Sequence, residues 1–241
     1  RACRLYQESA QQDYAPALCN LGVCYESGQG VEKDLEKAVE LYRRAAEGGY
    51  PMGRCNLGVM YHSGLGVEKD PKKAAYCFAQ AAEQRLPRAQ YLLGLCYEAG
   101  DGVEKKPRYA AYMYHRAAQQ GHPEAMLRLG ICYETGVGAE KDPAIAANLY
   151  RRAAERGSDL ARCRLGRLYE RGLGVERDLR RAEELYEAGE RAGVSGAKEA
   201  LDRVRAALAA PPEPPPVDKP EGKKSPLRRL LDRLKGPKSE E

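Results

Sequence analysis

The chain has 241 residues, with 40 Lys and Arg against 35 Asp and Glu and a formal net charge of +5. That balance gives no single-sign field of the kind nucleic-acid binding needs, so no nucleic-acid partner is expected. No run of about 18 apolar residues is present, so no transmembrane segment is expected either. Eight cysteines occur without a C-x-x-C pair or regular Cys/His ligand spacing. They read as reduced thiols packed as small apolar groups, which places the chain in the cytoplasm and predicts no metal site and no cofactor. Only Cys55 and Cys77 fall on the two helices of one unit. The chain opens at Arg1 without a methionine, which keeps a fragment, or a secreted product that has lost its signal peptide, as the alternative.

Self-similarity organises the chain. Leu-Gly followed three residues later by Tyr recurs at Leu21-Gly22…Tyr25, Leu57-Gly58…Tyr61, Leu93-Gly94…Tyr97, Leu129-Gly130…Tyr133 and Leu165-Gly166…Tyr169, always 36 residues on. Arg1–Ala10 align with Lys37–Ala46, the second half of a unit, so residues 1–14 read as a partial repeat that keeps only its second helix. Residues 15–195 read as five helical hairpins. In each, a helix A carries the Leu-Gly…Tyr set on one face.

A Gly-x-Gly then ends helix A, as at Gly100 and Gly102, by allowing positive φ. Asp34, Asp70, Asp142 and Asp178 are placed to cap a helix B by accepting backbone N–H bonds, with Lys106 the exception. Pro71, Pro107 and Pro143 follow at the first helical position, where proline is tolerated. Within helix B an inward stripe is formed by residues such as Ala38, Tyr42, Ala45 and Ala46. The aromatic of that stripe recurs as Phe78, Tyr114, Tyr150 and Tyr186. Glycine costs a helix interior about 1 kcal/mol relative to alanine, so its recurrence at Gly94 and its equivalents implies a helix crossing too closely for a side chain. Leu93, Gly94, Tyr97, Gly100 and Gly102 are thus structural, and Tyr97→Ala is expected to destabilise more than Glu98→Ala.

Residues 196–210 keep the phase but carry Asp202 for the glycine and Arg205 for the tyrosine, which suits a terminal capping helix with a polar outer face. Residues 211–226 form a proline-rich linker. In the short basic tail, 227–241, Leu227, Leu230, Leu231 and Leu234 fall at i, i+3, i+4 and i+7 opposite Arg228 and Arg233. At about nine residues that stripe is too short for a stable lone helix, and these six side chains are read as a docking element.

The pattern A-x3-LG-x2-Y-x2-G-x-GV-x2-D-x3-A-x3-Y-x2-AA-x2-G resembles the Sel-one-like repeat, a relative of the tetratricopeptide repeat. The fourth unit shows it in full: Ala125, Leu129, Gly130, Tyr133, Gly136, Gly138, Asp142, Ala146, Tyr150, Ala153, Ala154 and Gly157. Departures include Gly53 for the leading alanine, Arg85 for the closing glycine and Gly189-Glu190 for the Ala-Ala pair. The resemblance implies an all-α fold, a right-handed α/α superhelical solenoid of about five 36-residue helix-hairpin repeats with a terminal capping helix. It also implies a non-enzymatic scaffold for signalling or complex assembly, most like bacterial members.

By analogy with tetratricopeptide relatives, helix A would line the concave wall, and three rows of partner-binding residues are read by offset. The first is Cys19, Cys55, Tyr91, Leu127 and Cys163. The second is Val23, Val59, Leu95, Ile131 and Arg167. The third is Glu26, His62, Glu98, Glu134 and Glu170. Two readings are open: an apolar floor beside an acidic rail that holds a peptide or helix, or inter-helix core beside a solvated face. Tyr91, which stands where other units have cysteine or leucine, is either a contact hot spot or structural filling. The basic tail and acidic rail are opposite in sign, so the chain's own tail is a candidate occupant. The oligomeric state is not legible.

Catalysis has little support. Ser195-Gly-Ala-Lys198 matches S-x-x-K, but no K-T-G accompanies it. The alternative function, a secreted penicillin-binding or β-lactamase-like or host-interaction protein of the cysteine-rich repeat type, would need a cysteine pair in each repeat. His62, His115 and His122 lack ligand partners at suitable spacing, and the Gly-x-Gly loops follow helices rather than strands, so neither is a metal or phosphate site.

Overall fold

Local sequence dictates a monotonous element order, and the computed structural model, which describes residues 2–210, shows it. After α1 (Ala2–Ala10) come five hairpins: α2 (Ala15–Ser27) with α3 (Leu35–Glu47), α4 (Pro51–Ser63) with α5 (Pro71–Glu83), α6 (Pro87–Ala99) with α7 (Pro107–Gln119), α8 (Pro123–Thr135) with α9 (Pro143–Glu155), and α10 (Asp159–Arg171) with α11 (Leu179–Arg191). Helix α12 (Ala197–Ala209) ends the described residues, among which no strand occurs. The fold is an all-α solenoid.

Helix boundaries follow from side-chain chemistry. Asp34, Asp70, Asp142 and Asp178 each accept a backbone N–H from the first turn of their helix B, at 2.9–3.0 Å. Lys106 makes no such bond. Proline occupies the first turn of helix A as well, at Pro51, Pro87 and Pro123. Between the two helices of every unit one backbone bond closes the loop, for instance Lys106 N–H to the Tyr97 carbonyl at 2.9 Å and Asp142 N–H to that of Tyr133 at 2.9 Å. Arg85 sits in the left-handed region at φ 62°, where four other units have glycine.

Each hairpin packs internally and then against the next, α3 on α4, α5 on α6, α7 on α8 and α9 on α10. The apolar core is therefore shared between neighbours in three consecutive clusters. A lone hairpin has no such cover, which is why a stack is stable where its unit is not. Helix α12 closes the end: Leu201 and Val204 are buried, while Arg205, at the register of the helix-A tyrosines, bonds outward to Glu183 and Glu187.

Two glycine registers set the spacing. A Cβ on Gly94 would lie 2.5 Å from the Tyr114 ring, and equivalent contacts hold for Gly22 on Tyr42, Gly58 on Phe78 and Gly130 on Tyr150. At Gly166 the Tyr186 ring stands back to 3.3 Å. The second loop glycine does different work: a Cβ on Gly102, at φ 72°, would overlap the Pro71 carbonyl of the preceding unit. Gly66, Gly138 and Gly174 press on the same register of their own predecessors. The first glycine set holds a hairpin shut, and the second brings one hairpin onto the next.

Candidate interaction groove

The A helices are stitched to one another along one wall, by side chains that reach from each unit to its successor. Asn56 on α4 approaches the Cys19 thiol on α2 at 3.5 Å, and Arg88 on α6 donates to Asn56 at 3.0 Å. Arg128 on α8 pairs with Glu98 on α6 at 3.2 Å, and Arg164 on α10 with Glu134 on α8 at 3.4 Å. Arg203 on α12 reaches Glu170 on α10 at 2.7 Å.

The three sequence rows occupy this wall at different depths. Cys19 and Cys55 are buried, Cys55 completely, and Leu127 is nearly so. Of the two readings open for this row, the buried positions of these three members fit inter-helix core. Burial pushes the Cys19 and Cys55 thiols up to about 11, so they are inert apolar groups rather than nucleophiles. Cys163 is half-buried. Tyr91 is likewise half-buried, stacked on His122 at 5.0 Å and tilted on Tyr114 at 6.0 Å. His122 accepts the Ala125 N–H through Nδ1 and so caps α8.

The second row faces outward more. Val23 is 43% exposed, and Val59, Leu95, Ile131 and Arg167 are half-buried. The third row reads in sequence either as an acidic rail or as a solvated face. Instead its carboxylates are engaged from below. Tyr42 donates its hydroxyl to Glu26 at 2.5 Å, Tyr150 to Glu134 at 2.6 Å, Tyr186 to Glu170 at 2.9 Å, and Tyr114 to Glu98. Burial first, and the carboxylate second, keep these phenols protonated far above their ordinary range. From the next unit, Arg128, Arg164, Arg167 and Arg203 neutralise Glu98, Glu134 and Glu170. Arg203, ahead of Tyr186, holds the Glu170 carboxyl below the usual range against its partial burial. Only Glu26, among the described residues, has the tyrosine without an arginine.

One unit departs from this ladder. The second has Phe78 in place of the tyrosine and His62 in place of the glutamate, so donor and acceptor are missing together. His62 turns instead to Asp101 at 2.9 Å, in the loop of the third unit. A cavity of about 560 Å³ lies there, between α4 and α6. Val59, Leu92, Leu95 and Phe78 give it apolar walls, and the His62–Asp101 and Glu98–Arg128 pairs stand at its rim with Lys105. The sequence signal for this site was present: residues 16 apart in each unit read Glu/Tyr four times and His/Phe once.

Elsewhere the chemistry is sparse. All eight cysteines are free, and no group of three or more His, Cys, Asp or Glu able to hold a metal occurs among the described residues. Ser195 and Lys198 are both exposed at the start of α12. No helix among the described residues is long and apolar enough to cross a membrane. The linker 211–226 and the tail residues Leu227, Arg228, Leu230, Leu231, Arg233 and Leu234 lie outside the described residues.

Stacked hairpins with a cross-linked helix-A wall define the class, a helical-repeat solenoid. The Sel1 repeat model matches residues 15–50, 51–86, 87–122, 123–158 and 159–194, so the chain belongs to the Sel1 repeat family. Among solved structures it is similar to c5321, a protective antigen present in uropathogenic Escherichia coli strains with an SLR fold, at 37% identity and TM-score 0.80. That match covers 87% of this chain and 45% of the other, so this chain spans less than half of it. A Sel1 repeat protein from Oxalobacter formigenes is 29% identical at TM-score 0.76, covering 95% and 88% of the two chains. Pseudomonas aeruginosa 5086 is 25% identical at TM-score 0.52, covering 88% and 81%. No curated protein matches the chain.

Proposed function

We propose that the chain is a non-enzymatic scaffold that holds a partner's peptide or helix on its helix-A wall, seated at the cavity between α4 and α6. Sel1 repeat proteins in general act as protein-interaction scaffolds, which is the coarse function. One observation carries the finer reading. At Glu98, Glu134 and Glu170 a tyrosine and an arginine engage the carboxylate, whereas beside Phe78 and His62, which carry no such rung, lies a hollow walled by Val59, Leu92 and Leu95.

A cavity of this size takes one or two large apolar side chains of a guest, and the ion pairs at its rim supply polar contacts. Val59 and Leu95 are the wall residues this reading places against the guest, with His62 and Glu98 beside them. The glutamates farther along, Glu134 and Glu170, act in the scaffold rather than on the partner.

The test is affinity capture with wild type and with Leu95→Arg, each checked for an unchanged melting temperature. A partner retained by wild type and lost from Leu95→Arg, but kept by Arg180→Glu at an exposed position of α11, supports the assignment. Equal retention by Leu95→Arg and wild type contradicts it. Repeating the capture without residues 211–241 shows whether the tail competes for the same site: retention then rises if it does.

A further inference from the structure

The B helices present a second surface that the helix-A reading leaves unexplained. Tyr76 on α5 is 64% exposed, and Tyr109 and Tyr112 on α7 are 55% and 56% exposed. Tyr76 and Tyr112 share one register of consecutive units, where the other three units carry Glu40, Asn148 and Glu184. The side-chain partners of Tyr76 and Tyr112 lie on their own helices, Gln80 donating to the Tyr76 hydroxyl at 2.9 Å and Arg116 standing over the Tyr112 ring, and exposed tyrosine is among the residues enriched at interface hot spots.

Charge adds to this: α7 carries Arg108 and Arg116 with no acid, and α5 carries Lys72 and Lys73 against Glu83, an excess that α9 shares with Arg151 and Arg152 against Glu155. By contrast α3 balances Lys37, Arg43 and Arg44 with Glu36, Glu40 and Glu47. A hollow of about 370 Å³ lies at the edge of this patch, between α3, α4 and α5. Arg43, Arg54 and Lys73 line it with Tyr61 and Tyr76, and Leu57 provides part of an apolar floor. Some of this charge is already met within the chain: Arg43 pairs with Glu40 at 2.5 Å, Lys73 with Asp70 at 3.3 Å, and Glu47 also lines the hollow. Asp70 meets Lys73 twice, capping α5 through one oxygen and pairing with the ammonium through the other, whereas Arg54 has no carboxylate within ion-pair distance among the described residues.

We infer that the outer face of α3, α5 and α7 is a second docking surface, and that its partner is an acidic protein segment with an apolar anchor side chain. The cations attract the carboxylates, the tyrosines supply rigid contact area, and the hollow beside Tyr76 receives the anchor. A single-stranded nucleic acid fits less well: Tyr76 and Tyr112 lie on separate helices a whole unit apart, not on a continuous platform for successive bases. This surface is independent of the helix-A cavity, so either can fail without the other.

The probe is a fluorescein-labelled peptide of repeated Glu-Leu-Glu-Asp, followed by fluorescence anisotropy against the full chain. Binding is expected in about 50 mM salt and is expected to weaken at least tenfold in about 300 mM, as solvent-exposed charges are screened. Lys73→Glu with Tyr76→Ser should weaken it tenfold or more, while Glu199→Gln at an exposed position of α12 leaves it unchanged. All three residues can be altered without touching a fully buried group, and circular dichroism verifies the fold. No binding of the acidic peptide, binding indifferent to Lys73→Glu with Tyr76→Ser, or tighter binding of an oligothymidine than of the peptide would each overturn the proposal.

Discussion

The fourth unit and the second are built from the same template, yet their inner walls differ. In the fourth, Tyr150 supports Glu134 from beneath while Arg164 and Arg167 cover it from the next unit. In the second, Phe78 and His62 replace that arrangement and a cavity opens above them. The rung that lacks both its tyrosine and its glutamate is the one beside the cavity, and the stack of hairpins continues through it unchanged.

The largest effects should come from the shared frame. Tyr114 is fully buried and fills the register that Gly94 vacates, so Tyr114→Ala should cost about 3–5 kcal/mol in chemical denaturation. Tyr97 is only half-buried, resting against Tyr109 at 5.5 Å, so Tyr97→Ala should cost clearly less, and Glu98→Ala less again. Gly102→Ala forces a Cβ onto the preceding unit's backbone at positive φ, and a loss of roughly 3 kcal/mol is expected. Equal losses for Tyr114→Ala and Tyr97→Ala would mean the depth order is wrong.

Rebuilding the missing rung sharpens the contrast. Phe78→Tyr alone puts a hydroxyl beside a histidine. Phe78→Tyr with His62→Glu should recover about 1 kcal/mol relative to the single change, and should reduce capture of a groove partner. Smaller still are two local repairs: Arg85→Gly relieves a left-handed arginine, and Lys106→Asp supplies the absent cap. Each should raise stability by about 1 kcal/mol in thermal melts.

Alkaline pH probes the frame without mutation. Buried phenols and thiols ionise more readily in the unfolded chain than in the fold, so their contribution is complete below the ordinary thiol and phenol ranges and is lost as pH rises through the raised values. For Cys55 and Cys96 the raised value is about 11. Melting temperature should therefore hold between about pH 6 and 8 and fall steadily above about pH 9.

The fold was legible because each structural demand repeats: a glycine where Tyr114 crosses, an aspartate where α9 begins, a second loop glycine where units meet. The wall was harder to read, since helical offset does not separate Cys55, which is fully buried, from Val59, which lines the cavity. The third row misled for a different reason. Glutamates 36 residues apart look like a solvated rail, and their tyrosine partners sit 16 residues onward in the other helix, a spacing fixed by the hairpin rather than by either helix alone. The exposed tyrosines of α5 and α7 do not stand out in the sequence, because their counterparts at the same register are ordinary surface residues.

A double-mutant cycle on the third unit tests the ladder most directly. Tyr114→Phe, Glu98→Gln and the double variant should show a coupling of about 1–2 kcal/mol in urea denaturation, as a buried hydroxyl bonded to a carboxylate requires. Additive losses, with coupling near zero, would show that the rungs carry no load and that their absence beside His62 and Phe78 marks nothing.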